Sequence, residues 1–84
     1  PEARVALVGH TDASGGLAAN IALSRARAQS VRKALTALGI SGDRIEAEGV
    51  GYLAPRSTNL TPEGRTQNRR VEVMLTSTQL VAAP

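Results

Sequence analysis

The strongest constraint on the fold lies in residues 17–38. There Leu17, Ile21, Ala28, Val31, Leu35 and Leu38 recur at three- and four-residue steps and their multiples, which marks one face of a long amphipathic helix. Gly39 stands just past it, where a glycine can take the left-handed turn that ends a helix. A strand pattern flanks the helix on each side. Residues 4–9, RVALVG, form a short run rich in Val and Leu, as expected of a strand covered on both faces. Residues 44–49, RIEAEG, place Ile45 and Ala47 on one face and Glu46 and Glu48 on the other, a strand with one solvated side. Strand, helix and strand in this order predict a βαβ unit with a right-handed crossover.

Beyond it comes a loop, GVGYLAPRSTN, and then Thr61-Pro62-Glu63-Gly64, where Thr61 reads as an N-cap and Pro62 as the first residue of a short helix. Over residues 68–76, Val71, Val73 and Leu75 alternate with Arg70, Glu72, Met74 and Thr76, predicting a third strand. The tail QLVAAP is expected to fray. With 84 residues and no internal repeat, the chain reads as one α/β domain over residues 1–84, with its core at about 4–76 and a tail at 77–84. Such a short chain buries only about 60 to 65 per cent of its unfolded surface. Tyr52 is the single aromatic residue, so Val, Leu, Ile and Ala must fill a thin core.

Composition excludes several classes of function. Without cysteine there is no disulfide, thiolate metal site or thiol nucleophile, and the redox compartment stays open. No apolar run approaches the roughly 20 residues that span a bilayer, and neither a signal peptide nor an initiating Met is present, so the chain reads as an excised piece. The net charge is +3 and nine of the ten basic residues are arginines, which invites a nucleic-acid reading. Against it, the arginines are scattered among seven acids and one aromatic is too few for base stacking.

The stretch VGHTDASGG at residues 8–16 carries the densest chemistry. His10 is the only histidine and Asp12 the only acid nearby, too few for a metal site. His10 with Ser14 or Ser24 lacks any nucleophile-elbow motif, so catalysis is not expected, and no cofactor is implied. Neither GxGxxG nor GxxxxGK[ST] occurs, which argues against a nucleotide. More informative is the helix, where at about 100° per residue Asn20, Leu23 and Arg27 share one stripe bordering the apolar face. If strand and helix are adjacent, Asp12 lies near that stripe. A fixed carboxylate beside a fixed guanidinium suits a zwitterion, with the carboxylate taking an ammonium and the guanidinium a carboxylate. The plainer alternative is that Asp12 caps backbone N–H groups in its own turn and Arg27 makes a surface ion pair. Spacing alone favours the plainer one.

GHTD at residues 9–12, Asn20, LSRARA at 23–28, Val31, Leu35, Gly39-Ile40, Arg44, GVG at 49–51, Pro55 and NLTPEGRTQNRRVEV at 59–73 together resemble the OmpA-like peptidoglycan-binding domain. That family includes peptidoglycan-associated lipoproteins and flagellar motor stator subunits. The likeness covers roughly residues 5–76 in several separate motifs, and it reverses the order of the two readings. It implies helices on a mixed sheet, and a pocket in which Asp12 and Arg27 grip the free end of meso-diaminopimelate in the cell-wall stem peptide. Thr11, Asn20 and Leu23 would line that pocket, and Asn68 and Arg69 would approach from the start of the last strand. Lysine-type stems, lacking the carboxylate, would be discriminated against. His10 then reads as structural, bonded within its turn, and Arg70 as solvated or paired with a nearby Glu. Tyr52 is left open between the pocket rim and a satellite core.

The resemblance further implies a noncatalytic anchor in the periplasm, attached to the outer membrane or an envelope complex through a tether outside this sequence. Nucleic acid is not an implied partner, and the oligomeric state is left open, a homo-oligomer included. A structural or assembly domain with an incomplete pocket is the alternative. The family usually places another strand and helix ahead of the GHTD strand, whereas four residues precede Val5 here. Either those elements belong to sequence not included here or this is a shortened variant, and without them a sheet edge, part of the core and one wall of the pocket are expected to be uncovered.

Overall fold

The structure, a computed structural model, describes residues 3–77. Its elements run β1 (Ala3–His10), α1 (Leu17–Ala37), a 3-10 turn (Gly42–Arg44), β2 (Ile45–Gly49), α2 (Pro62–Asn68) and β3 (Arg70–Ser77). The expected α/β class and mixed sheet are present. β1 is the central strand of three, parallel to β2 and antiparallel to β3. The tail expected from residue 77 lies outside the described residues, apart from Ser77, which ends β3.

α1 contains neither Pro nor Gly and is rich in Ala, Leu and Arg, all strong helix formers. It ends in a Schellman turn. Gly39 takes φ +102°, its N–H donates to the Thr36 carbonyl at 3.0 Å, and the Ile40 N–H donates to the Leu35 carbonyl at 3.2 Å. The turn begins at Leu38, which is therefore rotated off the buried stripe and is 80% exposed, while Ile40 folds back onto the core in its place. This corrects the apolar stripe, which stops at Leu35.

Val5, Leu7, Ala28 and Ile45 are the buried apolar centre, with Val31, Leu35, Ile40, Ala47 and Val71 packed around them. The register sets Val5 beside Ile45, and Leu7 between Ala47 and Val73, so one face of the sheet turns towards α1. β1 is not covered on both faces as its composition suggested. Ala6 and Val8, on the other side, are only half-buried and stand in register with Glu46 and Glu48. One long helix lies on one side of the sheet, and the acidic residues of β2 keep the opposite side wet.

Asn68 ends α2, so the third strand starts at Arg70 and not at residue 68. Val71, Val73 and Leu75 do alternate, but Val73 and Leu75 are 57% and 75% exposed because α1 lies over β1 and β2 and barely reaches β3. The outer edge of β3 pairs with no other strand among the described residues.

Two glycines let the helix sit directly on the strand ends. A Cβ on Gly9 would lie 2.0 Å from the Ser24 carbonyl oxygen, and one on Gly49 2.3 Å from the Arg25 nitrogen. The loops that leave β1 and β2 are thereby pressed against the Asn20–Ser24 turn of α1. The Ser24 hydroxyl locks this contact by accepting the Gly51 N–H at 2.9 Å while donating to the Ile21 carbonyl.

Candidate ligand-binding site

As β1 ends, Thr11 donates its N–H to the Gly51 carbonyl at 2.9 Å, so the two loops leave the sheet side by side. Asp12 then turns back on its own chain. Its Oδ1 accepts the Ser14 N–H at 2.9 Å, an Asx turn, and its Oδ2 is paired with Arg69. The side chain of Asp12 is 10% exposed and that of Arg69 41%. The Ser14 N–H, followed by the Arg69 guanidinium, holds the Asp12 carboxyl at a pKa of about 2, well below its ordinary 3.8. Asp12 is thus an anion at any physiological pH.

Arg69 is delivered to Asp12 by what precedes it. Thr61 caps α2, accepting the Gly64 N–H at 3.0 Å, and Pro62 opens the helix as the sequence indicated. At its far end Asn68 is fully buried and makes four hydrogen bonds. Its Oδ1 accepts the N–H groups of Arg56 (2.7 Å) and Ser57 (2.8 Å), and its Nδ2 donates to the Ser57 carbonyl (2.9 Å) and to Asn59 Oδ1 (2.8 Å). Asn59 Oδ1 also accepts the Ala13 N–H at 3.2 Å. Arg69 donates from its other terminal nitrogen to Thr66 at 2.9 Å.

A cavity of about 460 Å³ opens between α1 and the start of β3, lined by Arg27, Ser30, Val31, Arg69, Arg70 and Val71. Its volume falls within the range of small-molecule sites. The three guanidiniums differ in what they are free to do. Arg70 donates to Glu72 Oε2 at 3.0 Å and to the carbonyls of Asn68 and Ala54, so it is a structural clamp. Its hydrogen bond to Glu72 is the main reason that carboxyl lies below its ordinary pKa. Arg69 is shared between Asp12 and the cavity. Arg27 makes no hydrogen bond or ion pair among the described residues.

Of the seven candidate residues, Arg27 and Arg69 line this cavity, and Asp12 is joined to it through Arg69. Asn20 is buried and donates to the Ser14 carbonyl at 2.7 Å, holding the Asp12 loop from the helix side. Thr11 is 3% exposed, and its hydroxyl has no hydrogen-bond partner among the described residues. Leu23 is 44% exposed and is not among the residues lining the cavity, and Asn68 is spent on the loop it organises. His10 bonds across the sheet to Glu72 at 3.1 Å rather than within its own turn. Three contributors escaped the sequence reading: Asn59, Ser30 and the lining face of Arg70. An Asn nine residues before a buried Asn gives no periodic signal, and the pairing of their amides is visible only in three dimensions.

A sequence model of the OmpA family matches residues 1–69. This chain belongs to the OmpA family. Among its OmpA-family relatives, the peptidoglycan-binding protein ArfA of Mycobacterium tuberculosis is 47% identical over 75 residues, covering 89% of this chain and 23% of ArfA. The probable lipoprotein YiaD of Escherichia coli is 44% identical over 75 residues, covering 89% of this chain and 34% of YiaD. The chain therefore spans about a quarter to a third of these relatives. In three dimensions it is similar to the peptidoglycan-associated lipoprotein of Burkholderia pseudomallei, with a TM-score of 0.85 and 31% identity over 88% of this chain and 63% of that one.

Proposed function

We propose that this domain binds peptidoglycan without covalent chemistry, through the zwitterionic end of a diaminopimelate side chain in the stem peptide, and so anchors an envelope protein to the cell wall in the periplasm. The observation that carries this reading is the guanidinium of Arg27, unpartnered among the described residues, on a cavity it shares with Arg69, whose own partner is Asp12. Asp12, Arg69 and Arg27 together leave one positive charge uncompensated. A ligand carboxylate supplies the missing anion, and Arg27 can grip it bidentately. An ionised carboxylate offers about four lone-pair sites, of which the Ser14 N–H and Arg69 use two, so Asp12 retains acceptor capacity for the ligand ammonium.

The names of ArfA and of the peptidoglycan-associated lipoprotein support the wall as the partner. The placement of the arginines weighs against nucleic acid. Arg32 donates to the carbonyls of Ile45 and Gly42, Arg44 to Ala3, and Arg65 to Asn59, so many of these cations are fastened to their own chain. No three His, Asp or Glu side chains gather into a metal site among the described residues, and the binding mechanism calls for none.

The test is retention on purified diaminopimelate-type sacculi. Wild type should sediment with them, whereas Arg27→Ala and Asp12→Asn should stay in the supernatant while keeping the wild-type circular dichroism spectrum. If both variants remain bound, the pocket is idle and the domain serves assembly or structure instead.

A further inference from the structure

We infer that Asn59 is a positioning residue for Asp12, the residue whose Oδ1 holds the Ala13 N–H and the Asn68 amide together. This rests on the reading of Asp12 as a ligand group. The contacts close a ring: Asp12 leads through the backbone to Ala13, Ala13 donates to Asn59, Asn68 donates to Asn59, and Arg69, next to Asn68 in the chain, returns to Asp12. Within this ring the Asp12 carboxylate is fixed from both ends. Arg69 and the Ser14 N–H hold the head group, and Asn59 holds the peptide plane on which the side chain is mounted.

The role is separable from support of the core. Asn59 sits between Thr58 and Leu60 on an exposed loop, and Leu60 is 90% exposed. Its carbonyl is held independently by the Arg65 guanidinium at 3.0 Å, so the loop keeps an anchor when the side chain is cut. Only the acceptor atom is used. Asn59 Nδ2 makes no hydrogen bond among the described residues, so an aspartate in its place retains both contacts. Positioned groups depend on such supporting hydrogen bonds as much as on their own chemistry.

Asn59→Ala and Asn59→Asp separate this role from a general loss of structure. In Asn59→Ala the Ala13 amide should exchange about fivefold faster and affinity for meso-diaminopimelate should fall about fivefold, the size of one lost hydrogen bond. The Asp12 carboxyl, followed by NMR titration, should move up from about 2 towards 3.8. Asn59→Asp should restore both the slow Ala13 exchange and the affinity. Unchanged exchange and titration in Asn59→Ala would overturn the inference, as would unchanged affinity beside a loosened Ala13. So would an Asn59→Asp protein as impaired as the alanine variant. A wild-type domain that does not bind meso-diaminopimelate at all removes the proposed ligand, and the exchange and titration results then still decide whether Asn59 governs Asp12.

Discussion

The carboxylate of Asp12 and the guanidinium of Arg69, 57 positions apart in the chain, form an ion pair that fastens the loop after β1 to the start of β3. The Ser14 N–H, joined by this pair, keeps the carboxyl ionised down to about pH 2. A group whose native pKa lies below its unfolded one stabilises the fold above the unfolded value, and loses that contribution as the pH falls through the native value. Stability should therefore decline between about pH 4 and about pH 2. Glu72, lowered by Arg70, adds to the slope in the same direction. Urea midpoints measured across that range should fall for wild type. In Asp12→Asn, which keeps an acceptor for the Ser14 N–H but cannot titrate, the fall should be shallower, and an identical profile would remove the pair as a source of acid sensitivity.

Asn68 belongs to the architecture of the site rather than to its contact surface. It is fully buried and satisfied four times over, by Arg56, Ser57 (twice) and Asn59. Asn68→Ala strips these bonds and leaves the half-buried N–H groups of Arg56 and Ser57 without their acceptor, a loss of about 2 kcal/mol or more. Asn68→Asp should fare no better, since it sets a carboxylate oxygen against the Ser57 carbonyl and Asn59 Oδ1. Denaturant unfolding of both variants checks this, and a loss of ligand binding at wild-type stability would return Asn68 to the contact surface.

Gly9 and Gly16 should respond oppositely to alanine. A methyl on Gly9 meets the Ser24 backbone at 2.0 Å, and neither strand nor helix can retreat without opening the core. Gly9→Ala should cost about 3 kcal/mol or leave the chain unfolded. Gly16 has open space around its Cβ position and an ordinary φ of −81°, so Gly16→Ala should stay within about 1 kcal/mol of wild type by thermal unfolding.

These contrasts show where residue patterns sufficed and where they ran out. The helix, its stop at Gly39, the alternation of β2 and the Thr61 cap follow from local rules, so the βαβ unit and the parallel pairing were open to reading. The burial of β3 was not, because the exposure of Val73 and Leu75 depends on how far α1 reaches across the sheet. In the same way spacing placed Arg27 on a stripe beside the core, yet it could not reveal that Arg69 would arrive at Asp12 first. The plainer reading holds in part. Asp12 does cap its own turn, as the plainer one had it, but Arg27 makes no surface ion pair among the described residues.

The guanidinium of Arg27, without a partner among the described residues, leads to the sharpest expectation. Lysine and diaminopimelate differ at the tip by one carboxylate, and an arginine left without its partner on binding penalises the ligand that lacks it. Wild type should therefore prefer a stem peptide carrying meso-diaminopimelate over the same peptide carrying lysine, whose α-carbon is then tied up in peptide bonds, by about tenfold or more, the order of one charge-assisted hydrogen-bonded pair. In Arg27→Ala that preference should collapse, with both ligands binding weakly, and the melting temperature should not move because Arg27 has no hydrogen bond or ion pair to lose among the described residues. Calorimetric titration of both ligands into both proteins provides the double comparison. If the variant still discriminates, the carboxylate is read elsewhere on the cavity, with Arg69 next in line. If neither protein discriminates, the ligand tip does not enter between α1 and β3.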